Sequence, residues 1–362
     1  MKFEMHPDVT RASTIPSAFY SDPGVYEIGK ERIFARSWQW CAWLEQIKVP
    51  GSVLPVTVLP GCLDEPVLFT RTRDDEVCCL SNVCTHRGNL VCEGPGVENS
   101  LRCRYHGRRF GLDGSFQSMP EFEGVCGFPS SADDLPRVGF SRWRQFYFAN
   151  LEPAGYGLDE MLAEMEERIG WLPVEHFTFD PDGKRDFLVN GNWALYVDNY
   201  LEGFHIPYIH AALNSTLDYG AYRTELLRHG NLQVGFAGGG EPAFDLPGSS
   251  PDHGQRIGAY YYWFFPNLML NFYPWGLSVN TVQPLGPTRT KVSFWPFVWR
   301  PELRAEGAGG DLDRVEREDE AVVELTQRGV RSRFYDRGRY APEREKGVHQ
   351  FHCMIAEAMN RG

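Results

Sequence analysis

The sequence predicts an α+β protein in which an all-β module precedes a second domain of helices and antiparallel strands. Three observations carry that expectation. Short β-type runs punctuated by Gly, Pro and Asp fill the stretch from about Trp38 to Pro153. Helical spacing appears in Leu158–Ile169, Trp193–Phe204 and Leu312–Val330. Between the last two helices, Tyr260–Val298 alternates as antiparallel strands do. A chain of 362 residues has room for about two such domains.

Residues 1–37 are expected to pack back onto the second domain, with Pro23–Ser37 reading as a helix. The module at 38–153 contains the runs Val53–Leu59, Val67–Arg71, Val77–Leu80 and Phe146–Leu151. Its Pro/Ser/Asp-rich stretch Phe128–Pro136 reads as a surface loop. Residues 154–362 form the second domain. The most apolar segment, Ile257–Leu277, is cut by Pro266, Asn267, Asn271 and Pro274, so it reads as strands and a turn and not as a membrane span. The opening MKFEMHPDVTRAST lacks the apolar core of an export signal, and a cytoplasmic location is expected. A net charge of −12 argues against nucleic acid or an anionic membrane as the partner. The 24 Phe, 16 Tyr and 10 Trp suit a large core with an aromatic-lined cavity for a small molecule.

Nine cysteines are an odd number, and metal ligation or buried thiols explain them better than a disulfide framework. Seven lie between Cys62 and Cys126, which places any cysteine–metal chemistry in the β module. Within it, Cys84-Thr85-His86 is followed after sixteen residues by Cys103-Arg104-Tyr105-His106. Two facing loops of this kind offer two thiolates and two imidazoles. Zinc takes such a set tetrahedrally. A [2Fe–2S] cluster takes it with both Cys on one iron and both His on the other. Gly88 and Gly107 follow the histidines, small residues that let backbone amides approach cluster sulfurs. Cys78, Cys79 and Cys92 have no second ligand at a useful spacing and read as buried thiols.

Asn192–His210, NWALYVDNYLEGFHIPYIH, carries a second constellation. Apolar Trp193, Val197, Tyr200, Leu201 and Phe204 flank a stripe of Asn199, Glu202 and His205. A buried carboxylate and imidazole are costly unless paired or metal-bound. His205 and His210 would diverge by about 140° on one continuous helix. Pro207 is expected to break the helix and let both imidazoles converge. Two His and one carboxylate make the facial triad of non-haem Fe(II) oxygenases. The third ligand has to come from elsewhere. Leu312, Val315, Asp319, Val322 and Thr326 recur at spacings of 3 and 4, the inward stripe of a helix, with Asp319 where an apolar residue is expected. Spacing alone leaves Asp319 as a ligand or as an ordinary buried acid. Glu316, Glu318 and Glu320 read as a solvated face. His349 and His352 read as structural residues of a C-terminal helix.

Asn82-Val83-Cys84-Thr85-His86-Arg87-Gly88 with Cys103-Arg104-Tyr105-His106-Gly107 closely resembles the Rieske motif of the ring-hydroxylating oxygenases. It departs at Arg104, where Pro is usual, and at Arg108, where Trp is usual. Asn192-Trp193, Asn199–His205 and His210 resemble the segment of the family's alpha subunit that supplies two iron-binding histidines. Glu318-Asp319 with Val323-Glu324 is similar to the one that supplies the aspartate. The resemblance runs from Phe34 to Pro342. It implies an N-terminal Rieske domain and a C-terminal helix-grip (START-like) catalytic domain. It implies a [2Fe–2S] cluster on Cys84, His86, Cys103 and His106, and a mononuclear Fe(II) on His205, His210 and Asp319. Asn199 and Glu202 are the catalytic candidates beside the iron. By resemblance Glu202 hydrogen-bonds His205 and touches His106 of the partner subunit in a homotrimer.

The function so implied is that of a terminal oxygenase, using O2 and electrons from NAD(P)H through a separate ferredoxin or flavin reductase. Glu202, where the family usually has Asp, and the run Asn199–Tyr208 resemble the choline, carnitine and glycine-betaine monooxygenase branch. A quaternary-ammonium or amine substrate follows, caged by rings in Tyr260–Trp263 and Phe272–Trp275. The alternative is an aromatic ring-hydroxylating dioxygenase. The rival of a different class is a Rieske electron-transfer protein, which would leave the second domain unexplained.

Overall fold

The computed structural model describes residues 2–152, 155–210, 222–304, 306–307 and 312–361. They form two compact units, one of Ala35–Leu158 and the other of Met1–Phe34 with Asp159–Gly362.

The first unit is all β with short 3-10 turns. β1 (Gln39–Trp43), β9 (Gly139–Trp143) and β10 (Phe146–Asn150) form a three-stranded sheet in the order β1-β10-β9. β2 (Ser52–Val58), β3 (Glu65–Arg71), β4 (Val77–Ser81) and β5 (Gly96–Val97) form a second sheet, ordered β4-β3-β2-β5. A small third sheet joins β6 (Leu101–Arg102), β7 (Arg109–Phe110) and β8 (Phe116–Ser118). The loops after β4 and β6 hold the two Cys/His pairs. Both are anchored in one apolar cluster that contains Leu68, Leu80, Cys84, Leu101, Cys103, Phe110 and Leu135. None of the nine cysteines is in a disulfide, and Cys78 and Cys79 are buried and Cys92 partly so.

The second unit is organised by one large antiparallel sheet. Its strands are β11 (Thr178–Phe179), β12 (Arg185–Val189), β13 (Arg223–Leu227), β14 (Gly230–Phe236), β15 (Ile257–Phe264), β16 (Leu268–Tyr273), β17 (Gly276–Pro284) and β18 (Thr290–Val298). The order is β11-β18-β17-β16-β15-β14-β13, with β12 also on β18. α1 (Pro23–Gly29) starts at Asp22, whose carboxylate accepts from the amides of Gly24 and Val25. A wider π-type turn, Lys30–Phe34, follows it, and Phe34 packs edge-on against Trp193 at 4.9 Å. α2 (Leu158–Ile169) presents Leu158, Met161, Leu162, Met165 and Ile169 to the core at helical spacing. α6 (Lys346–Asn360) packs against the β13–β15 end of the sheet, with Phe351 against Trp263 at 5.1 Å. No helix among the described residues is long and apolar enough to cross a membrane.

Three elements matter for the site, and two depart from the sequence expectation. α3 runs only from Trp193 to Tyr200, capped by Asn192. The helix ends there, not at Pro207. A five-residue link, 201–205, separates it from α4 (Ile206–Ile209), and Pro207 sits in the first turn of α4. Proline tolerates that place because a first-turn N–H has no intrahelical partner to lose. α5 (Leu312–Gly329) carries the other departure. Its buried residues are Glu316, Val323 and Gln327, whereas Thr326 is exposed and Val315 and Val322 are only partly buried. The side chain of Leu312 lies outside the described residues. The inward face is thus turned by about one residue from the apolar stripe. Gln327 accounts for much of the turn, since its Oε1 accepts from the Asn192 amide at 2.7 Å and its Nε2 donates to the Tyr20 carbonyl.

Candidate functional site

The two Cys/His loops are local copies of one another. In the first, the Cys84 amide donates to the Asn89 carbonyl at 2.8 Å and the Gly88 amide donates back to Cys84 at 3.0 Å. In the second, the Cys103 amide donates to Arg108 at 2.9 Å and the Gly107 amide to Cys103 at 3.0 Å. These glycine amides therefore bond cysteine carbonyls, not sulfurs. Glycine is required for backbone shape, with φ of +72° at Gly88 and +81° at Gly107.

Cys84 and Cys103 are 3% and 2% exposed on the core side, and the His86 and His106 rings lie 4.7 Å apart on the outer side. Asn89 Nδ2 points at Cys103 Sγ from 3.7 Å. Two buried soft ligands below two imidazoles, with a donor on sulfur, fit a cluster bound through sulfur to an inner iron and nitrogen to an outer one. Burial raises the Cys84 thiol, partly offset by the His86 amide and by Arg108. Burial and the positive charges of His106 and Arg108 hold His86 below its ordinary value.

In the second unit, His205 ends the link and caps the start of α4, His210 caps its end, and Asp319 is on α5. One ligand atom from each lies within 4.8 Å of the others. His210 Nε2 is 3.0 Å and His205 Nε2 3.5 Å from Asp319 Oδ1. The opposite ring nitrogens are held by carboxylates: His205 Nδ1 lies 2.6 Å from Glu202 Oε1, and His210 Nδ1 2.7 Å from Glu318 Oε2. An ionised carboxylate can only accept, so each Nδ1 carries a proton, and each Nε2 offers its lone pair to a cation in front of Asp319 when one is bound. Two lone pairs and a carboxylate aimed at one point suit a divalent cation. Burial depresses the His210 imidazole, but Asp319 and Glu318 outweigh it and hold its pKa above the ordinary value.

The surroundings position these groups. Glu202 Oε2 accepts from the amides of Phe204 and His205, which shapes the link after α3. Asn199 Nδ2 donates to Asp319 Oδ1 at 2.7 Å. Tyr196, one turn earlier on α3, donates its hydroxyl to Glu316 Oε2 at 2.8 Å. Burial, reinforced by Asp319, lifts the Glu316 carboxyl well above its ordinary value. Glu316 and Glu318 are therefore not a solvated face, because α3 and α4 offer them a hydroxyl and an imidazole. Glu318 adjoins Asp319 in the sequence, and the rule that ligating imidazoles lean on carboxylates was the signal that could have found it. His352 is not among the convergent ligands: its Nε2 lies 2.9 Å from Asp198 Oδ1 and its Nδ1 bonds the Tyr340 hydroxyl at 2.6 Å. His349 Nε2 bonds the His6 carbonyl.

The aromatic strands divide between two faces. Tyr261, Tyr273 and Trp275 share one, Tyr273 stacked on Trp275 at 5.1 Å and edge-on to Tyr261 at 5.8 Å. Tyr200 donates to Asn271 Oδ1 at 2.5 Å, and the Tyr222 hydroxyl to Gln233 Oε1 at 3.1 Å, in the adjoining row of the same face. Tyr260 and Tyr262 belong to the opposite face, where Arg168 lies over the Tyr260 ring.

Comparison with known proteins agrees with both units. The Rieske [2Fe–2S] domain model matches residues 37–129, and the ring hydroxylating alpha subunit (catalytic domain) model matches residues 168–361. The chain is 32% identical to a chloroplastic choline monooxygenase of Arabidopsis thaliana, over 98% of this chain and 85% of that one. It is 27% identical to the carnitine monooxygenase oxygenase subunit of Escherichia coli (strain K12), over 96% and 94% of the two chains. Among solved structures, a quaternary ammonium Rieske monooxygenase in complex with L-carnitine superposes with a TM-score of 0.77 at 24% identity, covering 98% and 97%. Naphthalene 1,2-dioxygenase from Rhodococcus sp. bound to indole reaches 0.72 at 19%, covering 96% and 94%.

A Rieske domain followed by this catalytic domain defines a Rieske-type oxygenase, an oxidoreductase that incorporates O2 into a small organic substrate with a [2Fe–2S] cluster and a mononuclear iron. The chain belongs to the ring-hydroxylating oxygenase alpha-subunit family.

Proposed function

We propose that this chain is the terminal oxygenase for a quaternary-ammonium or related amine substrate, with the cluster on Cys84, His86, Cys103 and His106 and the mononuclear iron on His205, His210 and Asp319. The observation that carries the iron assignment is the pair of imidazoles whose Nδ1 atoms are occupied by Glu202 and Glu318 while their Nε2 atoms face Asp319. When bound, the two metal groups supply electron storage and the reductive activation of O2. The chain's own residues orient and restrain. Asn199 holds the Asp319 carboxylate by one oxygen. Glu202 fixes the His205 tautomer and, in a homotrimer, would link it to His106 of the partner subunit. Glu316 is a buried carboxyl whose burial and neighbour Asp319 push it toward the neutral form, with Tyr196 donating to it.

The substrate class is supported by the relatives that oxidise choline and carnitine and by the Tyr261, Tyr273 and Trp275 rings on one sheet face. Each ring facing a cation contributes about 0.5–2 kcal/mol. Electrons are proposed to come from a separate ferredoxin or flavin reductase, and the setting is cytoplasmic. The test is product formation under O2 with a surrogate reductase, comparing choline, betaines and carnitine with aromatic acids. Aldehyde or demethylated amine is the expected outcome. Hydroxylated arene alone would overturn the ammonium reading and leave the oxygenase class standing. Cys84→Ser is expected to abolish the visible and paramagnetic Rieske signature, and zinc in place of iron after anaerobic purification would refute the cluster assignment.

A further inference from the structure

Arg108 is a charged side chain that the oxygenase reading leaves without a role. It is 2% exposed, and its guanidinium lies 5.7, 5.0 and 5.6 Å from the ring centres of Phe110, Phe116 and Phe128. A cation buried among rings is costly unless it is paired. Its partner is Asp133: Nη2 donates to Oδ1 at 2.6 Å and to the Asp133 carbonyl at 3.1 Å. Nε is buried with no partner. The same Asp133 carbonyl accepts from Thr85 Oγ1 at 2.8 Å.

Thr85 stands between Cys84 and His86, and Arg108 stands two residues past His106. One residue of the Phe128–Pro136 loop is therefore bonded to both cluster loops. Electrostatics accompanies that clamp, since the Arg108 charge reaches both Cys84 and His86. In a water-poor core a charge acts more strongly than at a surface. Reduction of a [2Fe–2S] group adds one negative charge, which the buried Arg108 cation favours and the partly exposed Asp133 anion beside it opposes.

We propose that the Arg108–Asp133 pair sets the reduction potential of the cluster, Arg108 raising it and Asp133 lowering it. The proposal rests on the ligand assignment above. Its test is a redox titration of the purified holoenzyme, followed by the paramagnetic signal of the reduced cluster. Arg108→Trp keeps an aromatic packing partner, and tryptophan is usual at this place in the family. It removes the cation and leaves Asp133, so the midpoint should fall. Asp133→Asn removes the anion and leaves Arg108, so the midpoint should rise. A tenfold change in the reduction equilibrium, 59 mV for one electron, is the size expected in each direction. The double variant should lie between the two.

A pair that acted only as a clamp would move both midpoints the same way, and that result overturns the proposal. So does an unmoved midpoint in either variant, or loss of the cluster from both. A wild-type protein without a Rieske signature would instead sink the ligand assignment, so the two failures are distinguishable.

Discussion

At the scale of single residues, the site is a set of carboxylates sorted by what faces them. Asp319 faces the Nε2 atoms of both imidazoles, whereas Glu202 and Glu318 each meet an imidazole N–H. Asp319→Ala is expected to leave the cluster signature intact, to lose the mononuclear iron by metal analysis and to form no product. Product formation with iron still bound would assign the role to another carboxylate. Glu318→Gln removes the ionised acceptor on His210, and metal affinity should drop about 10–100-fold, measured by competition with a chelator. Glu202→Gln is expected to keep both metals and to slow electron transfer in single-turnover experiments; unchanged rates would dismiss a linking role. The Cys/His spacing was legible from the chain because all the relevant atoms sit within two short loops. Glu316 and Glu318 were not, because nothing local distinguishes them from the exposed acids of an amphipathic helix.

At the scale of elements, α3 and α5 have to be held at one rotation for Asn199 to reach Asp319. Asn192 does part of this work at the start of α3. Its Oδ1 accepts from the Ala194 amide at 2.9 Å, its Nδ2 donates to the Pro287 carbonyl at 2.8 Å, and its own amide donates to Gln327 on α5. Asn192→Ala loses the cap and the tie to Pro287, and unfolding in denaturant should show a loss of about 1–2 kcal/mol. An unchanged midpoint would mean that the backbone bond to Gln327 suffices. Hydrophobic periodicity found both helices but misjudged the rotation of α5 and the end of α3. Leu201 already caps α3, and Glu202 then bonds the amides of the link that follows.

At the scale of the whole molecule, the second unit is fastened by an ionic cluster centred on the largely buried Arg168. Arg168 on α2 bonds Asp252 through Nε and Nη2, both at 2.8 Å, and reaches Glu225 on β13 at 2.6 Å. Tyr260 on β15 donates its hydroxyl to Asp252 at 2.7 Å. Arg168→Met leaves Asp252, 1% exposed, without its closest cation and should destabilise this unit by about 3 kcal/mol. Burial alone would raise the Asp252 carboxyl, but Arg168, Tyr260 and Arg223 together hold it below 3.8. Its contribution is therefore fully present above that pH and is lost as pH falls through the lower folded value. Wild-type melting temperature should drop below about pH 4, and in Arg168→Met this acid-dependent part should shrink.

The α+β class, the paired Cys/His loops and the His205–His210 segment follow from the sequence by itself, since each depends on spacings of a few residues that fix which atoms can meet. The tertiary structure alone decided that Glu316 and Glu318 enter the site beside Asp319, Glu318 lying 108 residues beyond its partner His210. It also decided that Arg108 is buried against Asp133 and that Tyr261 of β15, not Tyr260 or Tyr262, shares a face with Tyr273 and Trp275. The physical reason is common to these cases. A polar or charged side chain goes inward only where another element brings it a donor, a counter-charge or a metal, and that partner lies far away in the chain.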